Sequence, residues 1–179
     1  MRDIKEMQKI LKHKESELDN QGPSEDLILT KGRKPALQDL KLRPTLSGRK
    51  TVGTLECHQN GFRFYTRKNE KLDVLFNNIK HAFFQPCDQE IIILIHFHLK
   101  VPIWIGRKKV HDIQFYTEAG VVSEDLTDPR NRRYNDFDEY EADEYERQQR
   151  KKLNDEFQGF VRTVEQTTGD RLKFDIPYR

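Results

Sequence analysis

The chain is poor in the residues on which reactive or membrane-embedded proteins depend. It has two cysteines, Cys57 and Cys87, among 179 residues. They match neither a disulfide framework nor a paired-cysteine zinc pattern. They are expected to be reduced thiols in an intracellular protein. Long apolar runs are also missing. The longest, Ile91 to Ile95, is soon interrupted by His96 and His98, well short of the roughly 18 residues that a membrane span requires. The opening Met1-Arg2-Asp3-Ile4-Lys5 has no hydrophobic core of a secretion signal. A soluble, non-secreted chain is the expectation. Only 35% of residues are hydrophobic and 35% are charged, so part of the chain is expected to lie outside the core. The formal net charge of +2 gives little attraction to nucleic acid when averaged over the molecule.

Charge is present in quantity but unevenly placed. Residues 1–50 sum to about +4, residues 51–120 to about +2, residues 121–146 to about −7 and residues 147–179 to about +3. One acidic block therefore interrupts a mildly basic chain.

Ile4, Met7, Leu11 and Leu18 fall at helical spacing among charges, which predicts a helix over residues 2–18. Residues 19–26 form a breaker-rich linker containing Gly22-Pro23. Leu27-Ile28-Leu29 is a short apolar piece. The basic stretch from Lys31 to Lys50, with Pro35 and Pro44, is predicted to be irregular and bound at the surface.

From Thr51 the apolar period becomes two. Val52 to His58 reads as a strand, Asn60-Gly61 as a tight turn with positive φ at both residues, and Phe62 to Thr66 as the returning strand. Leu72 to Phe76 and Ile79 to Phe84 follow, with a kink at Asn77-Asn78. Ile91 to Leu99 is the most apolar strand, Val101 to Ile105 pairs back on it, and Ile113 to Tyr116 completes about seven short strands. Residues 119–138 lose all pattern. A helix from about Glu139 to Thr167 carries Leu153, Phe157, Phe160, Val161 and Val164 as one apolar stripe. Gly169 stops it, and Leu172, Phe174 and Ile176 alternate as an extended tail.

A sheet of that size curls into two packed layers with an open corner, and the helix stripe plugs the corner. The expected class is mainly β with α: a seven-stranded β-sandwich or barrel of pleckstrin-homology (PH) type, capped by a long C-terminal amphipathic helix and preceded by an N-terminal helix.

Several blocks then carry a resemblance. They are Asn60-Gly61-Phe62-Arg63-Phe64, the run from Asp73 to His81, Phe84-Gln85-Pro86-Cys87, the run from Ile95 to Lys100, and Gln114-Phe115-Tyr116-Thr117-Glu118. Together they resemble the middle domain of the large subunit of FACT, the histone chaperone that facilitates chromatin transcription. The similarity extends from the Ile4-to-Lys9 helix to Phe174-Asp175-Ile176-Pro177-Tyr178-Arg179. The resemblance implies a tandem pair of PH-like modules in a much larger subunit. Residues 1–18 would end a preceding module, 19–44 would be a linker, and 45–179 the second PH-like module with its helix and tail. It also implies core histones as partners, both the central tetramer and the outer dimer of the nucleosome. The other FACT subunit would be met through the full-length protein, in the nucleus and on the chromosome.

Catalysis has no support from local context, and no catalytic residue, cofactor or metal site is assigned. His96 and His98 share one face of a strand and would need a third ligand such as His81 or Cys87 to hold metal. A satisfied structural pair is the expected reading. His58 and His111 stand alone and are expected at the surface or an edge. Arg107, Lys108 and Lys109 at a hairpin tip, together with Lys80, form a basic surface: a solvated turn, a lipid-phosphate grip, or a histone-facing patch with weak DNA contact.

The acidic block offers Phe137, Asp138, Glu139, Tyr140, Glu144 and Tyr145 as histone-binding candidates, with acids screening histone charge and aromatics anchoring on apolar patches. Its plainer reading is a negative helix N-terminus that favours the macrodipole. By resemblance the turn after the helix adds Glu165, Arg171, Phe174 and Ile176, which could equally be a tail laid on the sheet. The function expected is histone binding in a FACT-type chaperone. A phosphoinositide-binding membrane module and a structural docking domain are the alternatives.

Overall fold

Alternation between apolar and polar side chains sets the architecture, because a strand turns successive residues to opposite faces. The computed structural model describes residues 26–46, 51–88, 90–119 and 139–177. The expected helix over 2–18, the patternless stretch beyond Ala119, and Phe137 and Asp138 lie outside the described residues. So do the side chains of Glu139 and Tyr140.

The strands are β1 (Ala36–Arg43), β2 (Val52–Cys57), β3 (Gly61–Thr66), β4 (Lys71–Leu75), β5 (Ile79–Gln85), β6 (Ile92–Ile105), β7 (Lys108–Glu118) and β8 (Phe174–Asp175). Helix α1 spans Glu139–Thr168, and short 3-10 turns occupy Phe76–Asn78 and Gly169–Arg171. The strands form a single sheet in the order β4-β3-β2-β1-β7-β6-β5-β8. Neighbours run antiparallel, apart from β8, which lies parallel to β5.

The sheet folds over on itself. The Phe62 ring of β3 stacks on Phe97 of β6 at 5.0 Å, and Phe64 meets Phe115 of β7 at 5.3 Å. α1 closes the open side of this core. Phe157, Phe160, Val161 and Val164 are buried and Leu153 packs at their margin, with Phe160 6.3 Å from Phe62 and Phe157 6.4 Å from Phe84. Each such side chain contributes roughly 1.5–3 kcal/mol by leaving water. The helix-capped β-sandwich of PH type is the fold observed.

Four expectations are corrected. Residues 36–43, expected to be irregular, form β1, which joins β2 to β7 and buries Leu37, Leu40 and Leu42. Residues 92–105, expected as two strands, are one strand of 14 residues whose register against β7 shifts between His98 and Ile103. At that irregularity the side-chain amide of Asn78 stands in for a ladder partner. Its Oδ1 accepts from Val101 N–H at 2.8 Å and its Nδ2 donates to Val101 O at 2.9 Å.

The β2–β3 hairpin forms, but neither Asn60 nor Gly61 has positive φ. Gly61 is needed for space, since a Cβ there would stand 2.5 Å from Val74 O. Asn60 fastens the N-terminal segment instead: its Oδ1 accepts from Ile28 N–H at 2.7 Å and its Nδ2 donates to Asp26 O at 2.9 Å. Finally, His58 is buried rather than superficial, at 2% exposure.

Candidate partner-binding surface

The turn after α1 is built by the helix itself. Gly169 takes φ +60°, the left-handed conformation that ends helices cheaply only in glycine. Thr168 is buried and donates its hydroxyl to Val164 O at 2.8 Å. Arg171 Nε donates to Thr168 O at 3.3 Å. Glu165 then reaches across the turn, and its Oε1 accepts from Phe174 N–H at 2.8 Å. Leu172 is buried, Phe174 and Ile176 pack half-buried against the core, and the Phe174 ring lies 6.1 Å from Phe97.

Of the four residues expected in this segment, Glu165, Phe174 and Ile176 therefore work inward. Glu165 clamps the turn and the two apolar residues hold the tail on the sheet. Arg171 remains exposed at the apex, although its guanidinium also braces the helix end. The segment presents a fixed shape, with Arg171 and the outer edges of Phe174 and Ile176 facing outward.

At the other end of α1, Asp143, Glu144, Tyr145 and Glu146 are all exposed. Their contacts run along the helix: Gln148 Nε2 donates to Glu144 Oε1 at 3.4 Å, and Arg150 pairs with Glu146 at 3.1 Å. Below them, buried Asn154 binds the β5–β6 loop to the helix. It accepts from Cys87 N–H at 2.9 Å and donates to Asp88 Oδ1 at 2.8 Å. Burial raises the Cys87 thiol above its ordinary pKa, which disfavours the nucleophilic thiolate.

The basic candidates separate. Arg107, Lys108 and Lys109 are exposed at the tip of the β6–β7 hairpin, where Gly106 turns with φ +61°. Lys80 follows Ile79, which pairs with Leu99, so it sits about 20 Å back along β6 at ~3.3 Å per residue. No single phosphate grip joins all four. Sequence reasoning missed Trp104 at this tip, 63% exposed, with Lys109 Nζ 5.4 Å from the ring centroid.

His96 and His98 both meet one oxygen of Asp112, at 3.0 and 2.8 Å. Gln114 Nε2 approaches His96 Nδ1 at 3.1 Å, so as the donor there it leaves Nε2–H of His96 for Asp112. The hydrogen bonds from His98, and then His96, hold the Asp112 carboxyl below the usual carboxylate range. The pair is thus satisfied within the sheet, as expected, and Asp112 is the partner sequence reasoning did not find. His111 is not alone, since its ring stacks 6.1 Å from His98. Among the described residues, no three His, Cys, Asp or Glu side chains stand where they could share one metal ion. Nor is any described helix long and apolar enough to cross a membrane.

Known proteins match this sequence along nearly its whole length. A family model described as the FACT complex subunit SPT16 PH-like domain matches residues 35–164. The chain is 44% identical over 181 residues to the FACT complex subunit spt-16 of Caenorhabditis briggsae, covering 99% of this chain and 17% of that protein. It is 44% identical over 179 residues to the subunit of the same name in Caenorhabditis elegans, covering 98% and 17%. Against the FACT complex subunit SPT16 of Mycosarcoma maydis it is 43% identical over 185 residues, covering 99% and 18%. It therefore spans less than a fifth of the length of these relatives. The chain belongs to the family of PH-like domains of the FACT complex subunit SPT16.

Proposed function

We propose that this domain is a histone-binding module in the middle domain of a FACT-type chaperone. It acts on the chromosome, in the nucleus, in the disassembly and reassembly of nucleosomes. The observation that carries the reading is the division of α1. One end presents exposed Asp143, Glu144, Tyr145 and Glu146, and the other ends in a clamped turn with Arg171 outward. Acids beside an exposed tyrosine suit a strongly cationic partner, because they steer association and screen its charge. A turn fixed in advance by Glu165 and Thr168 loses little conformational freedom on binding. The outer histone dimer is assigned to the turn and the acidic end, and the central tetramer to the neighbouring sheet surface. The other FACT subunit is met elsewhere in the full-length protein.

The test is a pulldown of the 179-residue chain with purified outer dimer and, separately, central tetramer across a salt series. Binding that weakens as salt rises is expected, since exposed charge pairs are screened within about 10 Å at 0.1 M. The joint replacement of Glu144 and Glu146 by Gln should weaken capture while changing stability by less than about 1 kcal/mol. Absence of binding to both assemblies at low salt would remove the reading. A parallel flotation assay with inositol-lipid vesicles identifies the membrane alternative if only that arm is positive.

A further inference from the structure

The tip of the β6–β7 hairpin concentrates positive charge that the fold does not use. From Lys100 to His111 the sequence holds Lys100, Arg107, Lys108 and Lys109 and not one carboxylate, in a chain whose formal net charge is only +2. Lys100 is engaged at the base of the tip, where its ammonium donates to Asn77 O at 2.8 Å. Arg107 and Lys108 are exposed, and among the described residues no carboxylate pairs with either. The next acid along β7, Asp112, is already held by His96 and His98. Cations gathered without counter-charges repel one another and attract a polyanion.

Trp104, the only tryptophan of the chain, stands beside these charges. It pairs with Lys109 across the hairpin and is 63% exposed, with the Lys109 ammonium 5.4 Å from its ring centroid. A lone exposed apolar side chain is ordinary, but this indole is fixed among cations on a braced tip. Gly106 and Arg107 make a two-residue turn closed by the Ile105–Lys108 pair, with the positive φ of 61° falling on the glycine. Below it Ile105 is buried, and Ile103 and Val110 pack against the core. Ring and charges are thus held in place before a ligand arrives, which lowers the entropy lost on binding.

The ring selects among polyanions. A duplex keeps its bases stacked inside and offers the tip phosphates alone, for which an indole is superfluous. A run of acidic side chains has no flat face to lay on it. A bilayer interface accepts indoles, but Trp104 would enter it alone, since Ile103, Ile105 and Val110 serve the core. An unpaired base stacks on an indole, and the phosphates on either side of it then meet the neighbouring cations. We propose that this tip is a contact site for single-stranded nucleic acid, in which Trp104 stacks one base and Arg107, Lys108 and Lys109 neutralise the adjoining phosphates. One base and three charges make a weak, sequence-tolerant site.

Because Trp104 is the sole indole, its fluorescence reads the site directly. Titration of the 179-residue chain with single-stranded oligothymidylate at low salt should quench it. The logarithm of the affinity should fall against that of the salt concentration with a slope of about −2, from three phosphate contacts at about −0.7 each. Trp104→Ala, followed through a fluorescent label on the oligonucleotide, should lower affinity roughly five- to hundredfold. Trp104→Phe should recover part of that loss, which a merely charged contact would not show. The joint replacement of Arg107 and Lys108 by Gln should flatten the slope to about −0.7. Absence of quenching up to about 1 mM oligonucleotide, or unchanged affinity in Trp104→Ala, would overturn the proposal. So would equal affinity for a duplex of the same length. Equal quenching by polyglutamate or by anionic vesicles would overturn it as well, giving the tip to an acidic peptide or to a lipid surface.

Discussion

The two halves of α1 are one continuous helix held by different physics. From Asp143 to Gln148 every side chain is exposed, and pairs such as Glu146–Arg150 at 3.1 Å contribute about 0.3–0.5 kcal/mol each. From Leu153 to Thr168 the helix inserts Phe157, Phe160, Val161 and Val164 into the core, worth several kcal/mol in sum. The contrast teaches that the apolar stripe fixes where the helix lies, and the sealed half supports a charged half that does nothing for the core. Such a charged half is free to meet a partner.

The widest gap between the halves should come from matched truncations. Phe160→Ala is expected to destabilise the domain by about 3–5 kcal/mol, against less than about 0.5 kcal/mol for Tyr145→Ala, as read by chemical denaturation. Comparable losses at the two sites would dissolve the distinction. Next comes the junction between the halves. Asn154→Ala strips the acceptor from Cys87 N–H and the donor from Asp88, an expected loss of about 1–3 kcal/mol. Cys87 should then become more reactive to a thiol reagent, and unchanged labelling would deny Asn154 its role.

A smaller effect sharpens the account of the turn. Glu165→Ala removes the acceptor of Phe174 N–H and should lower stability by about 1 kcal/mol. Amides of β8 should exchange faster while those of β3 do not, and Glu165→Gln should restore most of the loss. The last effect is read against pH. Burial first, and then the Lys34 charge, lower the His58 pKa from its ordinary value. The unfolded chain therefore takes up this proton before the folded one does. The contribution is intact above the ordinary imidazole value of about 6.5 and is lost as pH falls below it toward the folded value. Melting temperatures between pH 8 and pH 5 should fall more for the unsubstituted chain than for His58→Gln. Parallel curves would show that His58 has no part in the pH dependence.

Much of the fold was legible in the sequence because period-two and helical stripes are written directly in residue spacing. The rest depended on features that break those periods. β1 went unread because its apolar residues, Leu37, Leu40 and Leu42, change phase at a bulge where Asp39 has φ 54°. β6 looked like two strands because Pro102 interrupts it, and the register shift between His98 and Ile103 is where a residue lacking an N–H fits. Partnerships distant in sequence were invisible for a different reason. His58 receives its hydrogen bond from Thr30 and Asp112 reaches back to His96 and His98, and no local pattern encodes such pairings. In the candidate surface, the helix end and its turn were legible from Gly169 and the stripe. The inward roles of Glu165, Phe174 and Ile176 required the tail to be seen against β5.

Residue-resolved amide exchange along α1 tests the central claim most directly. Amides from Phe157 to Val164 should open only with β3 and β6, at the rate of global unfolding, while those from Asp143 to Gln148 exchange at least a hundredfold faster through local fraying. Exchange of the Phe157–Val164 segment well before the sheet, or one uniform rate along the helix, would show that the stripe does not seal the core.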